Sequence, residues 1–138
     1  MKTIRVSAAM DRLEEVQSFV EGQLEEAECP MRELFQVNIA VEEIFVNIAS
    51  YAYPDGEGEA EVSVELFPAP KKVVVCFQDG GVAFDPLKKE DADTSPEALE
   101  RRIGGLGILM VKKSMDAMYY ERRDGKNVLT IEKLLPEE

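Results

Sequence analysis

The chain has 138 residues, 45% of them apolar and 32% charged, with no histidine, two cysteines and a formal net charge of −12. That length and apolar content suit one domain with one core and exclude a disordered chain. The acidic balance argues against a nucleic-acid partner, whose phosphates need Lys and Arg. The lack of histidine removes the Ser-His-Asp triad, the Cys-His pair and a phosphohistidine, so any general base is a carboxylate, a lysine or a tyrosine.

The opening MKTIRVSAAMDRL has no apolar signal core, and no apolar run is long enough to cross a bilayer. Both features predict a cytoplasmic chain with no membrane contact, in which Cys29 and Cys76 stay reduced. The lack of His and of a CxxC pair argues against a zinc site. Residues 2–7 read as a short strand. Residues 10–27 read as a helix, with Leu13, Val16, Phe19, Val20 and Leu24 at a 3–4 spacing. Pro30 suits the first turn of a second helix over about 31–53, which Pro54-Asp55-Gly56 ends. Residues 59–67 alternate, with Val62, Val64 and Leu66 on one face; 71–78 form a more continuously apolar strand. The charged segment KKEDADTSPEALERR and the glycines GGLG then lead to a helix ending near 115. Strands over 117–123 and 127–134 meet at Asp124-Gly125, a hairpin signal. Strands in hairpin-like pairs, not alternating with helices, predict a single α+β domain over 1–138. It is a two-layer sandwich of three helices on one face of a mostly antiparallel mixed sheet.

The second helix carries an unusual pattern. With Val41 at the centre of a helical wheel, Leu34, Val37, Phe45, Ile48 and Ala52 share the packed face. The other side holds Gln36, Glu43, Asn47 and Ser50, a narrow stripe flanked by Ile39 and Val46, with no Lys or Arg between Arg32 and Lys71. Taken alone, the stripe is either a partly solvated edge or the lining of a cleft. In the cleft reading a carboxamide oxygen serves a hard cation and a carboxylate takes a proton. "QDGGVAFDPL" ends a strand with Asp79, Gly80 and Gly81: either a plain turn or a pocket rim where a flat ligand approaches closely. "RRIGGLGILMVKKSMD" sets Arg101, Arg102, Gly104, Gly105 and Gly107 ahead of an apolar helix: either a hinge or an anion site. It is neither GxGxxG nor a GK[ST] loop.

A Glu–Asn helix, then Asp-x-Gly after a strand, then a polar segment, then Gly-Gly-Leu-Gly at a helix start resembles the GHKL ATPase superfamily with its Bergerat nucleotide-binding fold. Within it, the chain is most similar to the small anti-sigma-factor serine/threonine kinases, over about residues 5–134. The resemblance implies ATP and Mg2+ as cofactors, Glu43 as the catalytic base and Asn47 as the metal ligand. It implies Asp79 as the reader of adenine and Gly81 as the close-approach glycine. Gly104, Gly105 and Gly107 would contact phosphates, Arg102 would approach the terminal phosphate, and residues 86–103 would form an ATP lid. Ala83 stands where many relatives have a second glycine, and Tyr51 where the closest kinases often have His. The implied partners are an antagonist (anti-anti-sigma) protein bearing a Ser or Thr acceptor and a sigma factor; related kinases also pair as dimers. The alternative is a nucleotide-binding module that sequesters a protein partner without useful kinase activity.

Overall fold

The computed structural model describes residues 1–54, 56–85 and 103–136, with side chains described from Gly107 onward in the last segment. In chain order come β1 (Lys2–Ser7), a 3-10 turn (Met10–Arg12), α1 (Leu13–Glu26), α2 (Met31–Tyr51), β2 (Glu59–Pro68), β3 (Lys71–Asp79), α3 (Ile103–Ser114), β4 (Ala117–Arg123) and β5 (Lys126–Leu134). The strands form one sheet in the order β1-β2-β3-β5-β4. Every pairing is antiparallel, so the expected α+β sandwich carries an antiparallel sheet with no parallel pair among the described residues. Among those residues no helix is long and apolar enough to cross a membrane.

Local chemistry sets the boundaries. α1 stops where Glu28 turns left-handed (φ 55) and the Cys29 amide reaches back to Leu24 O at 3.0 Å, a Schellman closure. Pro30 then caps α2 from just outside it, and its carbonyl accepts the Leu34 amide at 3.0 Å. At the hairpin, Asp124 (φ 53) and Gly125 (φ 75) both have positive φ, the type I′ geometry that matches strand twist. Leu66, expected inward, is 39% exposed near the end of β2.

α2 lies between the other two helices and against the sheet. Its buried residues Val37, Ala40, Val41, Ile44, Phe45 and Ile48 form the packed face that the wheel predicts. On the sheet, Ile4, Val62, Phe77, Leu129 and Tyr120 run across in register. One row along, Val6, Ala60, Asp79, Asn127 and Arg122 do the same. Asp79 and Asn127 are thus lateral neighbours at one end of the core-facing side.

The third helix begins earlier than its glycines suggest. Ile103 opens it, so Gly104, Gly105 and Gly107 lie inside the first two turns and not ahead of them. Glycine costs roughly 1 kcal/mol relative to alanine in a helix, but Ile108, Val111 and Met115 bury into the core and hold the segment down. The expected lid over 86–103, up to the start of α3, and Arg102 with it, lie outside the described residues.

Phe45 is fully buried and anchors the helix that carries Glu43 and Asn47. Phe45→Ala is expected to lower the unfolding free energy by about 3–5 kcal/mol in urea titration. Phe35→Ala on the outer face, where Phe35 is 62% exposed, is expected to cost less than about 1 kcal/mol. Equal losses would mean that α2 does not pack as described.

Candidate functional site

α2 places Glu43 and Asn47 one turn apart on its polar side. Asn47 lines a hollow open to solvent on one side. The floor is apolar, made by Ile44, Ile48, Phe77 and Leu129, and Asp79 and Asn127 supply polar groups at the sheet end. A mostly apolar cavity with a few fixed polar atoms is the usual build of a small-molecule site. The Asn47 Nδ2 is buried and makes no hydrogen bond among the described residues. A buried carboxamide with an unmet donor is an unusual feature in a cavity wall.

Glu43 sits beside that cavity, wedged against α3. A Cβ built at residue 107 would stand 1.9 Å from Glu43 Oε2, so only glycine lets the two helices hold the carboxylate between them. Burial raises the Glu43 pKa above the usual carboxylate range, and the neighbouring charge of Glu42 raises it further. Ile108, the residue after Gly107, lines the same hollow as Asn47 and Asp79. Asn47 of α2 and Ile108 in the second turn of α3 therefore share one space beside Asp79, and Glu43 lies next to it against Gly107. Gly104 and Gly105 fall in the first turn of α3, where the leading backbone N–H groups have no partner within the helix.

Asp79 is 6% exposed. Its Oδ1 accepts the Gly81 amide and the Asn127 side-chain amide, both at 3.0 Å. Gly81 is needed for a different reason from a turn: a Cβ there would lie 2.1 Å from Ala52 O. The loop is instead docked on the end of α2, with the Val82 amide donating to the same carbonyl at 2.8 Å.

Four residues that the sequence did not single out brace this loop. Tyr53 OH accepts the Gly80 amide at 2.8 Å and donates to Glu59 O at 2.6 Å. Arg122 donates to Gly81 O at 2.8 Å. Asn127 donates to Val82 O at 2.8 Å, and Tyr120 donates to Asn127 Oδ1 at 2.5 Å. No local signal marked these four: Asn127 stands at the start of a strand just after a turn, where Asn is ordinary. Tyr51 lines the mouth of the hollow and is 56% exposed, and Ala83 is exposed on the loop.

Known proteins resemble this chain to different degrees. Serine/threonine-protein kinase BtrW of Bordetella bronchiseptica is 29% identical over 97 residues, 70% of this chain and 68% of that one. Serine-protein kinase RsbW of Listeria monocytogenes is 33% identical over 91 residues, 62% of this chain and 57% of RsbW, so the match spans little more than half of that protein. A chain in the crystal structure of the SiaB-SiaC complex from Pseudomonas aeruginosa superposes with a TM-score of 0.61 at 18% identity, over 98% of this chain and 90% of that one. At that identity the likeness is one of fold. The profile of the histidine kinase-like ATPase domain matches residues 6–133, nearly the whole chain; with the three helices on an antiparallel sheet and the hollow between α2, β3 and α3, the chain belongs to the histidine kinase-like ATPase domain family.

Proposed function

We propose that this chain is an ATP- and magnesium-dependent protein serine/threonine kinase that phosphorylates an antagonist protein in a partner-switching circuit, with a sigma factor as its alternate ligand and a homodimer as its working form. The observation that carries the proposal is the meeting of Asn47, Asp79 and Ile108 of α3 on one hollow, with Glu43 held beside it against Gly107. The names of the relatives BtrW and RsbW support the acceptor chemistry.

Each residue has a physical task in this reading. Asp79 accepts a hydrogen bond from the exocyclic amine of adenine, and Gly81 keeps the loop close enough for the ring to enter. The leading amides of α3, at Gly104 and Gly105, which have no partner within the helix, receive phosphate oxygens. Gly107 keeps Glu43 against that helix, and Arg102, just before it in sequence, approaches the terminal phosphate. No group of three or more His, Cys, Asp or Glu side chains that could hold a metal occurs among the described residues. Asn47, on the wall of the hollow, offers one carboxamide oxygen, which suits magnesium held beside substrate phosphates and water. Bound magnesium supplies neutralisation of the phosphate charge during transfer. Glu43 takes the proton of the acceptor hydroxyl as its oxygen bonds to the terminal phosphorus and the bond to the leaving diphosphate breaks. Ile39 (39% exposed) and Phe35 (62% exposed) lie one and two turns before Glu43 on the same helix. They offer apolar surface to an acceptor that is itself a protein.

The test is single-turnover transfer from labelled ATP to a cognate antagonist. Glu43→Gln is expected to bind ATP within about threefold of the parent and to lose at least about 100-fold in transfer. Undiminished transfer would reject Glu43 as the base. If the parent binds ATP but transfers nothing to any Ser- or Thr-bearing partner it holds, the sequestering module is the correct function.

A base works only when deprotonated, so the acid limb of the pH–rate profile is expected above the ordinary glutamate range, following the raised pKa of Glu43. Glu42→Gln removes the second cause of that shift and should move the limb to lower pH, leaving the burial contribution. The same shift has a sign for stability. A carboxyl whose pKa is higher in the folded state destabilises the fold above that pKa and is relieved as pH falls toward the unfolded value. Glu43→Gln should therefore melt at a higher temperature than the parent at pH 7, and the difference should shrink on acidification. A gap that widens toward acid pH would contradict the assignment.

A further inference from the structure

Asn127 is buried in β5 beside Asp79 and makes four hydrogen bonds. Its Nδ2 donates to Asp79 Oδ1 at 3.0 Å and to Val82 O at 2.8 Å. Its Oδ1 accepts the Phe84 amide at 3.2 Å and the Tyr120 hydroxyl at 2.5 Å. That is the full capacity of a carboxamide, and the partners fix its orientation, with two acceptors at one end and two donors at the other. Together with the Gly81 amide at 3.0 Å, Asn127 occupies Asp79 Oδ1. No described residue donates to Oδ2. Val82 and Phe84 both line the hollow, so the carboxylate and the adjoining wall of the cavity are tied to one side chain.

We propose that Asn127 is a positioning residue that sets the purine specificity of this site; the proposal rests on the nucleotide reading above. By holding Oδ1 in place, Asn127 fixes Oδ2 as an acceptor that cannot swing aside. A base with an exocyclic amine meets that acceptor with a donor. A base with a carbonyl at the same ring position brings acceptor against acceptor, and a braced Asp79 has no route to relieve the repulsion. A carboxylate held only by Gly81 could rotate or admit a bridging water, and the discrimination would fall. Tyr120 supports this from the far end of the same amide.

The experiment measures affinities by calorimetry for ATP, GTP and purine riboside triphosphate, which lacks the 6-amino group, using the parent, Asn127→Ala and Tyr120→Phe. The parent should prefer ATP over GTP. Asn127→Ala should lose about tenfold for ATP and no more than about twofold for purine riboside triphosphate, and its ATP-over-GTP ratio should drop about tenfold. Tyr120→Phe deletes one bond to Asn127 and should shift the ratio in the same direction by a smaller factor. It carries the test alone if Asn127→Ala gives no cooperative melt. Equal losses for all three nucleotides, or an unchanged ratio in whichever variant folds, would overturn the proposal and show that Asn127 only supports the fold. A parent that binds ATP and GTP equally would overturn it while leaving the nucleotide reading intact, whereas a parent that binds none of the three would overturn both.

Discussion

α2 can hold a carboxylate in the seam with α3 only because residue 107 has no side chain, and the geometry of the site depends on that contact. A Cβ would stand 1.9 Å from Glu43 Oε2 and 2.4 Å from its carboxyl carbon. Any other residue would turn the Glu43 carboxylate out of its present place. The same constraint recurs at the far end of α2, where Gly81 allows the loop after β3 to lie on the Ala52 carbonyl. The helix is thus clasped by glycines at both ends of its polar stripe, with Asn47 between them. Close approach also excludes water, which is why burial leads the causes of the raised Glu43 pKa.

This arrangement works against the stability of the helix that carries it. A partly desolvated carboxylate with no cation, and a buried amide nitrogen with no partner, among the described residues are each unfavourable in a folded protein. The opposite face compensates, with six buried apolar residues from Val37 to Ile48 packed on the sheet. A helix that is strongly apolar on one side and locally unsatisfied on the other is what selection for a site, and not for stability, produces.

The sequence disclosed the elements well because their signals are local. The alternation in β2, the wheel of α2 and the Asp124-Gly125 turn each depend on a few adjacent residues, and the observed strands and helices lie within a few positions of those readings. The GGLG segment was placed differently by the structure because glycine's intrinsic preference was outweighed by the burial of Ile108 and Val111. Glu43, Asn47, Asp79 and Gly81 stood out because a charged or carboxamide group in an apolar run, or paired glycines after a strand, is locally odd. Tyr53, Tyr120, Arg122 and Asn127 were not legible. Their work is to bind residues between 27 and 48 positions away, or a carbonyl across a turn, and only the tertiary fold, for Arg122 and Asn127 the strand register, brings those partners together.

Register is therefore where the hairpin turn acquires a functional consequence. Asp124 and Gly125 fix the pairing of Arg123 with Lys126, and that pairing fixes Asn127 opposite Asp79 on one side and Arg122 on the other. Side chains alternate between faces with a period of two, so a slip of one residue in β5 would turn Asn127 away from the core and bring Val128 or Lys126 to its row. Neither could donate two hydrogen bonds and accept two more. The Asp79 end of the hollow is thus specified by a turn at the rim of the sheet, through covalent geometry and ladder hydrogen bonds. The Glu43 end is specified by helix packing, which yields by small shifts when a side chain changes volume. Substitutions at the hairpin should act on which ligand is recognised, and substitutions at the helix seam on what is done with it.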